Sequence, residues 1–229
     1  MKTILELKNW EEAIGQVVRA DCLEFMKLLP DKSVDLVLTD PPYNTKNIGP
    51  NQRKYDVGQM QLPLKEYIKF CEDWFREADR VAKRIVFTSG IANVCCYPQP
   101  SWIACWHKPA SVSFNRFGGF NAWEPIMLYG KIPKGKRLRQ DFILYNTLNF
   151  TKGIEKEHPC PKPLGLIKKL VDIFSLEGET VFDPFMGSFT TAIAAESLGR
   201  RWIGTELSPE YCKIGEERIR ILRSQPKMF

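Results

Sequence analysis

Four short, mostly apolar runs in this sequence each end in an acidic residue, and this repeated pattern is compatible with few folds. The acids are Asp21, Asp40, Asp183 and Glu206. Each run has the length of a buried strand, and segments with helical spacing separate them. Alternating strands and helices predict an α/β fold with a doubly wound, mostly parallel sheet, in which ligands bind at the carboxyl ends of the strands. The four acids are therefore expected at one edge of the sheet.

The spacing of apolar residues predicts the other elements in the order that such a sheet requires. A polar stretch over residues 44–61 has no period and is expected to be a long loop of the kind that covers or binds ligands. Strands are predicted at residues 17–21, 34–39, 84–88, 102–106, 124–129, 180–183 and 201–206, and helices at residues 22–29, 64–82, 163–174, 190–198 and 209–223.

Composition narrows the class of protein. The chain has 229 residues, of which 44% are hydrophobic, which suits one domain with a short inserted segment. Its net charge of +6 fits a polyanionic partner. No apolar stretch approaches the roughly 20 residues of a membrane helix, and charges interrupt the first residues, so we expect a cytoplasmic protein without a membrane partner. Because the seven cysteines form no C-x-x-C pair and there are two histidines, we predict no metal site.

The segment Asp40-Pro41-Pro42-Tyr43 follows a predicted strand directly. Its two prolines fix φ and carry no amide donor, so the local backbone is rigid and its carbonyls stay free. The Asp40 carboxylate and the Pro41 carbonyl can together accept both hydrogens of an amino group, and the Tyr43 ring can stack on an aromatic ring. The segment predicts a receptor for an amine such as that of adenine or cytosine. A simple Pro-Pro turn capped by Asp40 is the alternative.

A second segment, residues 183–191, connects a predicted strand to a helix and reads Asp-Pro-Phe-Met-Gly-Ser-Phe-Thr-Thr. A small residue, Gly187, lets the backbone approach a ligand, and the helix N-terminus favours polar or negative groups. Glu206 ends the next strand about twenty residues later, where an acid can hold the ribose hydroxyls of a nucleoside cofactor. The segment therefore indicates a nucleoside site.

These segments resemble the motifs of the amino-group DNA methyltransferases, which modify adenine N6 or cytosine N4. Residues 40–43 match the D/N/S-P-P-Y/F target motif, residues 183–191 the D-P-F-x-G-S-G-T-T cofactor loop, and residues 158–163 the H-P-x-x-K-P segment. The target motif precedes the cofactor loop, which is the permuted β arrangement of that family. The similarity extends from about residue 17 to residue 218 and implies the Rossmann-like fold of S-adenosylmethionine-dependent methyltransferases.

The resemblance also implies an activity and the residues that perform it. S-adenosylmethionine would methylate the N6 amine of an adenine that is flipped out of double-stranded DNA, without a metal or a cysteine nucleophile. The expected catalytic residues are Asp40, Pro41, Pro42 and Tyr43. The residues expected to bind the cofactor are Asp21, Cys22, Lys162, Pro163, Asp183, Pro184, Phe185, Gly187, Ser188, Thr190, Glu206 and Leu207.

The sequence departs from the family pattern in two places. Phe189 stands where a glycine is usual, and if that position needs a positive φ, the phenylalanine is strained and cofactor affinity suffers. The segment expected to read the DNA sequence, about residues 130–158, is short, so recognition is expected to be brief, relaxed, or supplied by a second subunit of a homodimer or another partner. This segment contains a basic run, residues 131–139. The run is expected beside the pocket for the flipped base, where Lys134, Lys136, Arg137 and Arg139 would contact DNA phosphates.

Three alternative functions stay open. Cytosine-N4 methylation would use the same site, although the aspartate form of the target motif favours adenine in this family. RNA or a small molecule can replace DNA as the acceptor, and the basic run disfavours the small molecule. A non-catalytic nucleic-acid-binding subunit of the same fold is the third, and the intact segment of residues 40–43 argues against it.

Overall fold

The structure is a computed structural model that describes residues 2–44, 59–109, 117–145 and 162–225. Strands in these residues form one sheet of nine and a separate ladder of two. The large sheet comprises β1 (Lys2–Thr3), β2 (Val17–Arg19), β3 (Leu36–Thr39), β6 (Ile85–Thr88), β7 (Trp102–His107), β8 (Trp123–Tyr129), β9 (Phe142–Leu144), β10 (Thr180–Asp183) and β11 (Arg201–Glu206), and the ladder comprises β4 (Tyr43–Asn44) and β5 (Gln59–Met60).

The strands of the large sheet are ordered β1-β2-β11-β10-β3-β6-β8-β7-β9. Every neighbouring pair is parallel except the two pairs that include β8, which runs antiparallel to β6 and to β7. The prediction of a mostly parallel α/β sheet is therefore confirmed. The carboxyl ends of β2, β11, β10 and β3 are adjacent, and we call this side of the sheet the carboxyl edge.

Helices cover both faces of the sheet. Leu36 and Leu38 belong to one apolar cluster and Val37 to another, because successive strand residues point to opposite faces. The helices are α1 (Cys22–Met26), α2 (Leu64–Val81), α3 (Leu164–Phe174), α4 (Thr190–Ser197) and α5 (Pro209–Ser224). Of these, α1 and α2 pack on the face of Val37, and α3, α4 and α5 pack on the other face. No helix in the described part of the chain is long and apolar enough to cross a membrane.

The predicted elements agree with the structure to within a few residues, and β10 and β11 have the predicted bounds. The structure adds β1, β9 and the β4–β5 ladder, which are strands of two or three residues and too short to show a period. The strand β9 lies within the segment of about residues 130–158, where the spacing of apolar residues predicted no strand. Of the long loop predicted over residues 44–61, residues 45–58 lie outside the described residues, as does His158.

The basic run leaves the sheet at the edge opposite to Asp40. Tyr129, the last residue of β8, pairs with Ile85, the first residue of β6, because β8 is antiparallel. Farther along the run, the Lys136 ammonium lies 2.6 Å from Asp172 Oδ1, near the end of α3. The expectation that this run lies beside the base pocket is therefore wrong. The other three cations predicted to contact DNA, Lys134, Arg137 and Arg139, are exposed.

Phe189 immediately precedes α4, and its ring occupies a gap in α5 that a glycine creates. A Cβ atom added to Gly215 would lie 1.9 Å from Phe189 Cδ2 and 2.1 Å from Cγ. The Phe189 ring cannot move away easily, because Phe189 is fully buried and the centre of its ring lies 6.2 Å from that of the Trp202 ring. The helical glycine is therefore a packing requirement of Phe189.

We predict that Gly215→Ala destabilises the protein, although alanine in a helix interior usually gains about 1 kcal/mol over glycine. The added methyl group must displace the Phe189 ring, and such overpacking costs about 1–3 kcal/mol. Urea denaturation would measure the change in the free energy of unfolding. In a Phe189→Gly background the same substitution should become stabilising. An unchanged sign in that background would contradict the assigned contact.

Candidate active site

All four predicted acids lie at the carboxyl edge of the sheet, as expected. Asp183 and Glu206 end β10 and β11, while Asp40 follows β3 and Asp21 lies two residues after β2. The Thr39 hydroxyl donates a hydrogen bond of 2.6 Å to Asp183 Oδ1. This bond joins the start of the target motif to the start of the cofactor loop, because Thr39 directly precedes Asp40.

Three donors surround one oxygen of the Asp40 carboxylate. Oδ1 accepts hydrogen bonds from the hydroxyls of Thr88 and Tyr43, the second at 2.6 Å. The ammonium of Lys162 lies 2.9 Å from the same atom. Within the described part of the chain, Oδ2 has no hydrogen-bond partner, so it is the oxygen that a substrate can reach without displacing one of these contacts.

Glu124, the second residue of β8, lies on the other side of the Tyr43 hydroxyl. Its Oε1 shares the single hydrogen of that hydroxyl with Asp40 Oδ1 and lies 3.3 Å from Lys162 Nζ, while its Oε2 lies 2.7 Å from Lys108 Nζ. Burial alone would raise the pKa of Glu124, but the two ammonium groups outweigh burial and hold this pKa well below its usual range. Two carboxylates and two ammonium groups thus balance within one cluster, which we call the charge cluster: Asp40, Glu124, Lys108 and Lys162.

The charge cluster shifts the pKa values of Lys162 and of the neighbouring Tyr43. Burial would lower the pKa of Lys162, but Asp40 and Glu124 outweigh it and raise this pKa above the ordinary value. Burial, followed by the two carboxylates, raises the pKa of Tyr43 well above its ordinary value, so the phenol stays a donor. The ammonium groups of Lys108 and Lys162 lie 4.9 Å and 5.5 Å from the centre of the Trp106 ring, which adds cation–π attraction.

The target motif is held in position by contacts with Gly90, which lies just after β6, and with Tyr67 of α2. Gly90 follows β6 with φ at 66°, and a Cβ atom there would lie 3.2 Å from Tyr43 Cδ2. The Tyr67 hydroxyl of α2 donates to the Pro42 carbonyl at 3.1 Å. A side chain at Gly90 would press on the ring and would be strained, so this glycine allows the motif its position.

Glu206 ties the cofactor loop to the end of β11. Its Oε2 accepts a hydrogen bond of 2.8 Å from the Gly187 amide, and its Oε1 accepts one of 2.8 Å from the Ser208 amide. The Met186 amide also donates to the Thr205 carbonyl, at 3.0 Å. Each carboxylate oxygen has a second lone pair, so Glu206 can accept ribose hydroxyls while it holds the loop.

Phe189 adopts the left-handed conformation, with φ at 65° and ψ at 23°. The suspicion that this position requires a positive φ is therefore confirmed. Such a conformation costs a residue with a side chain about 1–2 kcal/mol. The surrounding contacts maintain it, since Arg218 of α5 donates to the Ser188 carbonyl and the Phe189 ring packs on Gly215.

Asp183 is a buried carboxylate without a cation beside it in the described residues. Burial raises its pKa to about 6, although the Thr39 hydroxyl and the Phe185 amide donate to Oδ1. A cationic ligand at this position would favour the ionised form. S-adenosylmethionine carries an ammonium and a sulfonium group, so the chemistry of this acid and of Glu206 fits that cofactor.

The other residues assigned to the cofactor have varied surroundings. The Asp21 carboxylate caps α1 by accepting from the Leu23 amide at 2.8 Å, and burial raises the pKa of the Cys22 thiol to about 12. Lys162 lies in the charge cluster, with the target motif, and Pro163 directly precedes α3. Cofactor binding stays a prediction for each of these residues. The remaining assigned positions belong to the same loop or strand end: Pro184 and Phe185 follow Asp183, Ser188 Oγ lies 3.3 Å from Thr190 Oγ1, and Leu207 is exposed.

Four residues of the site were not predicted from the sequence: Thr88, Trp106, Lys108 and Glu124. The sequence signal for Glu124 is a charged residue at the beginning of a predicted apolar strand, whereas the pattern of strand-end acids points to the carboxyl ends of strands. The described residues contain no group of three or more potential metal ligands.

We predict that Asp183→Asn stabilises the protein at neutral pH and does not at acid pH. The pKa of about 6 in the folded state lies above the ordinary aspartate pKa of 3.8, so the stabilising contribution of the protonated form is complete below pH 3.8 and is lost as pH rises through 6. From pH 7 upwards the asparagine should raise the free energy of unfolding by up to about 3 kcal/mol.

Urea denaturation between pH 4 and pH 8 measures this difference. Asp73→Asn is the control of opposite sign, because a hydrogen bond to Lys69 lowers the pKa of Asp73, so this substitution should lose stability at neutral pH. A difference between wild type and Asp183→Asn that does not vary with pH would contradict the assigned burial of Asp183.

Comparisons with known proteins agree with this geometry. A family model described as DNA methylase, of the N6/N4 type, matches residues 34–90 and 101–217. The type II methyltransferase M.HinfI of Haemophilus influenzae is 27% identical over 261 residues, which cover 96% of this chain and 72% of that protein. The DNA adenine methyltransferase YhdJ of Escherichia coli (strain K12) is 26% identical over 264 residues, covering 96% of this chain and 87% of that protein.

Solved structures share the fold. The crystal structure of the M1.HpyAVI–SAM complex has a TM-score of 0.64 at 23% identity, covering 89% of this chain and 98% of that one. The cytosine-N4-specific PvuII DNA methyltransferase has a TM-score of 0.68 at 18% identity, covering 93% of this chain and 87% of that one. Because the family model matches more than half of the sequence, this chain belongs to the N6/N4 DNA methylase family, whose enzymes transfer a methyl group from S-adenosylmethionine to an exocyclic amine of DNA.

Proposed function

We propose that this protein methylates the N6 amine of adenine in double-stranded DNA. The observation that carries the proposal is the contact between the Asp40 carboxylate and the Tyr43 hydroxyl at the end of β3. The loop that begins at Asp183 follows β10, the strand next to β3. The aspartate at the first motif position favours adenine in this family, and one of the relatives is named a DNA adenine methyltransferase. Cytosine-N4 methylation is the second candidate, because a solved structure of the same fold has that specificity.

The loop between β10 and α4 is the proposed cofactor site. When bound there, S-adenosylmethionine supplies an electrophilic methyl group. Glu206 would accept its ribose hydroxyls while keeping the Gly187 amide, which holds the loop in place. The ionised form of Asp183 would be favoured by the positive charge of the cofactor, which removes the penalty that burial now imposes.

The target motif is the proposed amine receptor. A base inside a duplex cannot reach this edge, so it must be flipped out, and stacking on the Tyr43 ring would hold it there. The Asp40 carboxylate and the Pro41 carbonyl would each accept one N–H bond of the amine. Among the described residues, nothing donates to the Pro41 carbonyl, whereas the Pro42 carbonyl already accepts from Tyr67. Holding both hydrogens draws lone-pair density towards the nitrogen, and positioning supplies most of the remaining acceleration.

DNA capture is proposed to involve phosphate contacts made by the basic run. Its exposed cations lie at the opposite edge of the sheet from Asp40, so these contacts would be remote from the flipped base. The recognition segment at about residues 130–158 is short for a sequence reader, which supports a contribution from a second subunit. We propose that residues 1–229 act as one catalytic domain in either arrangement.

We predict that Asp40→Ala abolishes methyl transfer and leaves the affinity for S-adenosylmethionine within a few-fold of wild type. The carboxylate serves the base amine and not the cofactor, so the loss falls on the chemical step. Mass spectrometry of nucleosides from unmethylated phage DNA, incubated with labelled cofactor, identifies the product, and calorimetry measures cofactor binding. Asp79→Ala, which removes an exposed acid of α2, is the matched control and should retain activity.

Three outcomes of that experiment decide between the candidate functions. N6-methyladenine supports the adenine assignment, and N4-methylcytosine replaces it with the second candidate. If wild type binds cofactor and yields neither product, the chain is not an active DNA methyltransferase. Retained turnover in Asp40→Ala would contradict the role given to this residue.

We predict that neutralising Lys134, Arg137 and Arg139 together weakens binding to every DNA sequence alike. The slope of log affinity against log salt concentration should flatten by roughly one unit for each lost phosphate contact. Lys136→Met should change the slope less, because its ammonium already pairs with Asp172. Fluorescence anisotropy with a labelled duplex measures the slope. A wild-type slope in the triple variant would show that the run is solvated surface.

A further inference from the structure

Three donors converge on Asp40 Oδ1, and one of them can only donate. The Lys162 ammonium lies 2.9 Å from this oxygen, and an ammonium has three donors and no acceptor. The hydroxyls of Thr88 and Tyr43 also donate to Oδ1, but a hydroxyl can accept as well as donate. Of these three neighbours, Lys162 is therefore the one that excludes a donor atom from the Oδ1 position.

We propose that Lys162 sets the polarity of the target motif: it keeps an acceptor at the Oδ1 position of residue 40 and thereby decides which atom faces the base amine. The atom that faces the amine is Oδ2, which has no partner in the described residues. The inference rests on the proposed function, in which Asp40 accepts from the amine. Lys162 is a positioning residue, because it acts through Asp40.

A carboxylate meets the requirement of Lys162 in either orientation, because both of its oxygens are acceptors. The amide of an asparagine has one acceptor end and one donor end, so an acceptor at the Oδ1 position places the NH2 group at the Oδ2 position. That NH2 group would face the amine of the base, donor against donor. The motif of the family accepts Asn at its first position, but Lys162 makes this chain require an acid there.

The surroundings of Lys162 prevent it from turning away from residue 40. Its side chain is 15% exposed, and its Nζ also lies 3.3 Å from Glu124 Oε1, so the ammonium is held between two carboxylates. Burial would lower the pKa of Lys162, but these carboxylates outweigh burial and raise it, so the group remains an ammonium and a donor. Moving a buried charge away from its partners is strongly destabilising.

The two hydroxyls, in contrast, can adapt to a reversed amide. Tyr43 can give its hydrogen to Glu124 Oε1, which already shares it, and can then accept from an NH2 group. The Thr88 hydroxyl can accept after rotating about its C–O bond. Removing Lys162 therefore removes the obligate donor, and the amide of an Asp40→Asn variant becomes free to turn its oxygen towards the base.

We predict that Lys162→Met has opposite effects in two backgrounds. With Asp40 present it removes a donor to the carboxylate, so kcat should fall by up to about tenfold. Asp40→Asn alone should lower kcat by roughly a hundredfold or more, because an N–H group replaces an acceptor at the reacting centre. In that background Lys162→Met should raise kcat roughly tenfold, which corresponds to about one restored hydrogen bond. The double variant also keeps its charges balanced, because Glu124 still pairs with Lys108.

The experiment measures kcat and KM for methyl transfer to unmethylated phage DNA from S-adenosylmethionine with a labelled methyl group. It compares wild type, Asp40→Asn, Lys162→Met and the double variant. Either methylated nucleoside counts as product, because the polarity of the motif matters equally for the amines of adenine and cytosine. Calorimetric affinity for S-adenosylmethionine within a few-fold of wild type shows that a variant is folded.

Further variants separate the orientation of the amide from charge and from folding. Asp40→Ala combined with Lys162→Met has the charges of the first double variant but no amide, so it should stay inactive. Asp40→Asn combined with Lys27→Met, which removes an exposed lysine just after α1, should stay as slow as Asp40→Asn alone. If Lys162→Met does not fold, Lys162→Gln replaces it, because a glutamine amide can offer an acceptor to a reversed asparagine.

The outcomes separate this inference from the proposed function. No methylated nucleoside from wild type would overturn both. With an active wild type, a nearly normal kcat in Asp40→Asn, or no gain in the folded double variant, would overturn the inference alone, as would an equal gain in the alanine background. A loss with Asp40 and a gain with asparagine supports it, because a lysine with a purely structural role would lower kcat in both backgrounds.

Discussion

Two carboxylates and two ammonium groups share one mostly buried space at the carboxyl edge of the sheet, and the geometry of the site depends on the balance of their charges. Removing one partner from a buried ion pair costs several kcal/mol, so the members of the cluster hold one another in place. They come from separate parts of the chain: Asp40 follows β3, Lys108 follows β7, Glu124 lies in β8, and Lys162 precedes α3. The cluster therefore joins the parallel half of the sheet to the half that contains β8, and it sets the direction of the Tyr43 hydroxyl between them.

The half of the site that the sequence predicted follows from one rule of parallel sheets. The strands β2, β3, β10 and β11 all run in the same direction, so acids at their carboxyl ends must lie at the same edge. The sequence shows short apolar runs that end at Asp40, Asp183 and Glu206, and the segments between them have the apolar spacing of helices. This prediction needed no separate information on strand direction, because these four strands are all parallel to one another, as strands connected by helices usually are.

The half that the sequence did not predict depends on β8, the strand of the described sheet that runs against its neighbours. Because β8 is antiparallel, its first residues lie at the carboxyl edge and its last residues at the other edge. Glu124 thus enters the site from the beginning of a strand, and the basic run after Tyr129 leaves on the opposite side. Apolar spacing predicts that a strand exists but not the direction in which it runs. The reversed direction of β8 is therefore the reason why Glu124 was not predicted and why the basic run was predicted at the wrong edge of the sheet. Lys108 was missed for a related reason, since it follows β7 without an acidic partner nearby in the sequence.

The cofactor loop shows how a costly local conformation can persist. Phe189 has a positive φ that glycine would adopt without strain, and Asp183 is a carboxylate whose burial favours the proton. The cost of the positive φ is offset within the free protein, because the Phe189 ring fills the space that Gly215 leaves. Gly215 is distant from Phe189 in the sequence, so this packing could not be predicted from the residues around Phe189. The second cost is not offset by any cation in the described residues, and a positively charged ligand is what would offset it. The core compensates the strain at Phe189, whereas only a ligand could compensate the buried charge of Asp183. Of the two, the uncompensated charge is the feature that supports our proposal that S-adenosylmethionine binds at this loop.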